Sequence, residues 1–224
     1  MTSIAQLYLE AQSSFVDLYQ TLDQGDLAKS VPCTPQWTVR DVLSHVAGVT
    51  DDIANGRVEG ASTDTWTAAQ VERWRDAHPA ALIEQWSGQI APVAELLEKF
   101  GEFRPALDCC SHEHDLRHAL GCTGNQSSPI IELIATHFAE RPVGRAVAIS
   151  FADGATALMP GDGEPIALDG LTRFEYVRSR LGRRNREQVA SYAWSEPPSD
   201  ELLSEWFVFG PAELSIVESA SRWG

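Results

Sequence analysis

Apolar residues recur every three or four positions through four separate stretches of the first 125 residues, which few folds accommodate. Residues 3 to 24 carry Ile4, Leu7, Leu9, Phe15, Leu18, Tyr19 and Leu22 before Gly25. Val39, Val42, Val46, Val49 and Ile53 mark a second face, with Thr38 as N-cap and Asp41 three residues on, an acidic variant of the capping box. Residues 79–100 and 104–120 are two more amphipathic helices, the latter closed by Gly121. A shorter helix is expected near Thr67 to Arg75, and VPCTPQ reads as turns. Four long helices with modest loops imply an antiparallel bundle over residues 1–125.

The pattern changes after GCTGNQSSP. A helix is expected over Pro129 to Glu140, followed by two strands around the Asp153-Gly154 turn in AVAISFADGATALMP. EPIALDG adds a third strand, and FEYVRSRL and NREQVASYAW read as a helical pair. The expected class is α+β: a helical bundle followed by a smaller α+β domain over residues 126–224.

Composition restricts function. A net charge of -15 lacks the basic footprint that nucleic acid requires and disfavours an anionic membrane. No apolar run approaches the ~18 residues of a spanning helix. The N-terminus reads as an amphipathic helix and has no signal-peptide pattern, so the expected location is the cytoplasm. Cys33, Cys109, Cys110 and Cys122 show no CxxC spacing and read as buried apolar residues, with Cys109 a lesser candidate for a soft metal ligand.

Three of the six histidines fall in DCCSHEHDLRHALG, residues 108 to 121. On a helix this crowd separates. Asp108 and His112 share one face, His114 and His118 another, and spacing alone does not choose between the pairs. Glu113, His114 and His118 are assigned to the surface or rim. Asp115 either orients the His112 ring or forms an ion pair with Arg117 or a neighbouring helix. His45, about 60° round from Val42 on the second helix, looks into the bundle from its margin. A carboxylate and an imidazole at i, i+4, with one imidazole from another helix, make a donor set with open positions, as in catalytic zinc and other divalent sites. Asp51 and Asp52 read as solvated helix-end residues, the other use being a base beside the site. Six arginines between Arg173 and Arg186 form a solvated or docking face, with Arg183 and Arg184 as candidate contacts for a substrate carboxylate.

TPQWTVRDVLSHVAG, followed some sixty residues later by H-x-x-D-L-R-x-A-L-G, resembles the mycothiol-dependent maleylpyruvate isomerase family of actinobacteria, within the DinB-like group of four-helix metal proteins. FEYVRSRLGRRNREQVASYAW is similar to the family's RxxxGRRSxxQ segment, so the resemblance spans nearly the whole chain. It implies three metal ligands at His45, Asp108 and His112, with Asp108 standing where the family usually has Glu. It also implies a divalent metal, zinc foremost, and mycothiol or a similar thiol as cosubstrate. The expected reaction is isomerisation of, or sulfur transfer to, a small electrophile bearing a carboxylate. A hydrolase using metal-activated water, or a non-catalytic metal- or ligand-binding protein, are the alternatives.

Overall fold

The computed structural model describes residues 2 to 218, in two compact units, residues 2 to 124 and 125 to 217. In the first, α1 (Ile4–Tyr19) and α2 (Gln24–Leu27) lead into a hairpin of β1 (Ser30–Val31) and β2 (Thr34–Thr38). Then come α3 (Val39–Ala54), α4 (Asp64–Arg73), α5 (Pro79–Phe100) and α6 (Arg104–Leu120). The long helices pack as a ring, α1 and α3 each lying against both α5 and α6. No helix among the described residues is long and apolar enough to cross a membrane.

Local chemistry sets the boundaries. Thr38 and Asp41 form a reciprocal capping box that starts α3 at Val39. Pro79 opens α5, and Gly101 and Gly121, both in the left-handed conformation, end α5 and α6. The first helix stops five residues short of the expected Gly25, because Asp23 and Asp26 build their own capping box and begin α2. VPCTPQ contributes to a short hairpin that carries Trp37 to the N-cap of α3.

The bundle core is apolar at its centre. Phe15 of α1 meets Trp86 of α5 edge to face at 5.5 Å, and both are fully buried. Leu43, Val46, Ile90, Val93 and Leu116, from α3, α5 and α6, are buried in the same unit. Each such side chain contributes about 1.5–3 kcal/mol through burial. Tyr8 hydroxyl and Thr50 Oγ1 satisfy each other at 2.7 Å between α1 and α3.

The second unit holds α7 (Pro129–Ala139), β3 (Arg145–Phe151), β4 (Thr156–Met159), β5 (Asp162–Leu171), α8 (Arg173–Arg180), α9 (Arg186–Ala190), β6 (Ala193–Trp194) and α10 (Asp200–Trp206). Its sheet order is β4-β3-β5-β6. The Asp153-Gly154 turn joins β3 to antiparallel β4, and the chain then passes to the far side of β3, where β5 runs parallel to it. Only Pro160 and Gly161 make that crossing. A Cβ on Gly161 would lie 2.4 Å from Ala146 N and from Arg145 C, so the crossing requires glycine. The expected second helix of NREQVASYAW is short, and its last residues form β6 on the sheet edge.

Candidate metal centre

Three donors converge inside the bundle. His45 Nε2 lies 3.1 Å from Asp108 Oδ2, and His112 Nε2 lies 3.5 Å from Asp108 Oδ1. All three ligand atoms fall within 4.8 Å of one another, the one such histidine, cysteine or carboxylate group among the described residues. Bonds of ~2.1 Å at tetrahedral angles separate donors by about 3.4 Å, so both contacts match the edges of a coordination polyhedron. The two histidines are buried, whereas the Asp108 side chain is 33% exposed and marks the open side.

The far ring nitrogens are held too. His45 Nδ1 is 2.8 Å from Gln70 Oε1, and Gln70 Nε2 donates to Asp52 Oδ2 at 2.9 Å. Asp52 Oδ1 accepts from Arg57 Nε and Arg73 Nη1 at 2.8 and 2.7 Å. Gln70 comes from α4 and reaches α3 because residue 48 is glycine: a Cβ there would sit 2.7 Å from Gln70 Cβ. His112 Nδ1 lies 3.1 Å from Asp115 Oδ2, close enough for an ion pair but without hydrogen-bond alignment. Trp37, at the end of β2, packs its ring 4.9 Å from that of His45 and 5.8 Å from that of His112. Both imidazoles thus turn Nε2 toward Asp108 with their other edges backed by protein.

Electrostatics agree with a cation here. Burial opposes a charge on His45, yet the Asp108 carboxylate and the hydrogen bonds of Asp108 and Gln70 outweigh it and hold the pKa above 6.5. A metal ion would occupy the position where that proton sits. Burial pushes the Cys109 thiol well above 9.0, with Glu113, Cys110 and Asp108 adding to the effect. Cys109 is not part of the converging set, and its environment suits an apolar filler.

Several sequence assignments need correction. Glu113 and His114 are not surface or rim residues: Glu113 is fully buried and His114 nearly so. Glu113 is compensated by Arg117, through Nε at 2.8 Å and Nη2 at 2.7 Å, and by Ser14 Oγ of α1 at 2.8 Å. His118 stays partly exposed. Arg117 pairs with Glu113, and Asp115 lies beside His112. Asp51 and Asp52 are buried rather than solvated, because Arg57, Arg73, Gln85 and Gln89 enclose them. Nor do the arginines of 173–186 form one wet face, since Arg178, Arg180 and Arg184 are buried. Arg184 grips Glu175 in a two-pronged fork at 2.7 and 2.6 Å, and Arg183 Nη1 donates to Leu181 O. Gln70 and Trp37 had no assigned role from sequence, although Trp37 lies inside the quoted motif.

Residues 8–117, which include His45, Asp108 and His112, match the family model described as the mycothiol maleylpyruvate isomerase N-terminal domain. No curated protein matches the sequence significantly. Two crystal structures share the fold. One is the mycothiol-dependent maleylpyruvate isomerase, 12% identical with a TM-score of 0.57, and the other is a mutant of that isomerase, 11% identical with a TM-score of 0.55. Each alignment covers 90% of this chain and 99% of the other. The structural likeness carries the fold at these identities, and the sequence match carries the family: residues 8–117, the helical unit, belong to the mycothiol maleylpyruvate isomerase N-terminal domain family.

Proposed function

We propose that the protein is a metal-dependent enzyme that uses a mycothiol-type thiol to isomerise, or transfer sulfur to, a small electrophile bearing a carboxylate. The observation that carries this reading is the convergence of two Nε2 atoms and one part-exposed carboxylate, Asp108, in a domain of this family. The donors suit a divalent ion, zinc first, held by His45, Asp108 and His112. Such an ion supplies a Lewis-acid position that favours a thiol in its thiolate form.

The chain's own residues do the rest. Gln70 and Asp115 back the two imidazoles, Trp37 walls one side against water, and the exposed flank of Asp108 leaves access for thiol and substrate. In the isomerisation, sulfur adds to the carbon β to a carbonyl. The C–S bond forms while the alkene electron pair moves toward the carbonyl oxygen. Rotation about the resulting single bond follows, then the pair returns, the C–S bond breaks and the thiol is regenerated. If the adduct takes up a proton instead, the outcome is sulfur transfer. The hydrolase alternative loses its base, since Asp51 and Asp52 are committed to arginine and glutamine partners.

Two measurements test the reading. Elemental analysis is expected to find about one divalent ion per chain, lost in His112→Ala; equal content in both proteins refutes the centre. Turnover of a panel of cis-enoyl acids should require added mycothiol. Retained metal with no thiol-dependent turnover would identify a binding protein instead.

A further inference from the structure

The far side of His45 is closed by a polar chain whose direction can be derived. Arg57 Nε and Arg73 Nη1 both donate to Asp52 Oδ1, leaving Oδ2 to face Gln70 at 2.9 Å. A carboxylate in that position only accepts, so Gln70 must turn its NH2 toward it. The amide oxygen of Gln70 is then forced onto His45 Nδ1, 2.8 Å away. An oxygen there accepts only, so Nδ1 must carry a proton, and the lone pair available for a metal resides on Nε2, the atom facing Asp108. Gln70 and Asp52 are 0% and 1% exposed, so water does not substitute for either. We infer that Asp52 and Gln70 are positioning residues that fix the metal-binding tautomer of His45 by a one-way hydrogen-bond relay anchored on Arg57 and Arg73.

This inference rests on the metal-centre reading and adds two residues that touch neither metal nor substrate. It predicts an effect of polarity, separate from packing. In Asp52→Asn the introduced amide keeps its oxygen on the two guanidinium groups and turns its NH2 toward Gln70. Gln70 then reverses, and its own NH2 faces Nδ1, which must now accept. Binding through Nε2 is opposed, although nothing within contact of the metal has changed in size. Adding Gln70→Glu restores the original direction: the introduced carboxylate accepts from the amide on one side and from Nδ1–H on the other. Asp51→Asn is the control, because Asp51 shares Arg57 and Arg73 with Asp52 but makes no hydrogen bond to Gln70.

The test is zinc affinity by chelator competition for the wild-type chain, Asp52→Asn, Asp51→Asn, Asp52→Asn/Gln70→Glu and His112→Ala. Asp52→Asn is expected to bind zinc about 10–100-fold more weakly, the usual cost of losing an outer partner of a ligating histidine. Asp51→Asn and the double variant should remain within a few-fold of wild type. In zinc-loaded wild-type protein, nitrogen-edited NMR should show a proton on His45 Nδ1. The relay is overturned if Asp52→Asn and Asp51→Asn bind alike, if the double variant is no tighter than Asp52→Asn, or if Nδ1 carries no proton. Should Asp52→Asn alone fail to fold, the affinity of the double variant and the Nδ1 proton still decide. A zinc affinity unchanged in His112→Ala instead overturns the metal centre itself, and the relay with it.

Discussion

Replacing Gly48 by alanine sets two effects of opposite sign against each other, and the structure says which wins. Alanine is favoured over glycine inside a helix by about 0.8–1.0 kcal/mol. Residue 48 lies mid-way along α3, so propensity alone would stabilise the protein. The added Cβ, however, would sit 2.7 Å from Gln70 Cβ and 2.9 Å from Gln70 Cγ, well inside the ~3.5–4.0 Å at which carbon atoms rest. Both neighbours are close to the α4 backbone, so the clash moves the helix rather than a flexible tip. Overpacking of this kind costs about 1–3 kcal/mol. The displacement also strains the bonds from Gln70 to His45 and to Asp52, each worth about 1 kcal/mol net. The balance is a loss of about 2 kcal/mol, or a Tm lower by ~4–8 °C in a chain of this size. Zinc affinity should fall ~10-fold or more, since the backing of His45 is disturbed. Thermal unfolding followed by circular dichroism, with chelator competition alongside, reads both. A Tm raised by a few degrees with unchanged zinc affinity would show that α4 yields freely, and would refute the close-approach argument.

Two further predictions concern the second unit. Burial alone would raise the pKa of Glu175, but the hydrogen bonds and charge of Arg184, then Tyr192 and Arg178, hold it below its ordinary 4.5. The unfolded chain therefore takes up this proton first, so the cluster's stabilisation is complete above pH 4.5 and drains away as pH falls through the folded value. Glu175→Gln should flatten the acid limb of a stability profile measured by urea unfolding, and an unaltered limb would contradict the assignment. Arg180 is 2% exposed and, among the described residues, offers Nε and Nη1 no acceptor, although its guanidinium stacks 5.1 Å from the Trp206 ring. Arg180→Met should be neutral or stabilising by ~1–3 kcal/mol in the same assay. A loss above ~3 kcal/mol would show that the aromatic stack outweighs the desolvated charge.

What the sequence disclosed follows a physical divide. Helices punctuated by their own residues were legible: Pro79 opens α5, and Gly101 and Gly121 end α5 and α6, all by local chemistry. Spacing also placed Asp108 and His112 on one face. Partners from distant segments were not legible. Glu113 looks like a surface glutamate until Ser14 of α1 arrives beside it. Asp51 and Asp52 look solvated until Arg73 and the α5 glutamines close over them. Gln70 gives no signal at all, because α4 has little apolar stripe and one glutamine among polar neighbours carries no spacing rule. Strand β6 is two residues long and gains its identity only by pairing with β5. Burial of polar groups is decided by tertiary compensation, which a helical wheel does not record.

The two-residue passage at Pro160 and Gly161 has a consequence for how this chain can vary. Strand β3 is flanked by β4 and β5, and the link between those flanking strands runs directly across its first residues. Slack on this side of the sheet therefore resides at the Asp153-Gly154 tip, where added sequence can bulge into solvent without changing the pairing. Insertions, tags or a circular-permutation cut belong there. At 160–161 an extra residue would lift the crossing off Val143 and Ala146 and slide β5 along β3, turning its inward side chains out. Natural relatives should accordingly differ in length at the hairpin tip and hold the crossing to a fixed length, a bias that sequence comparison across the family can read without any structure.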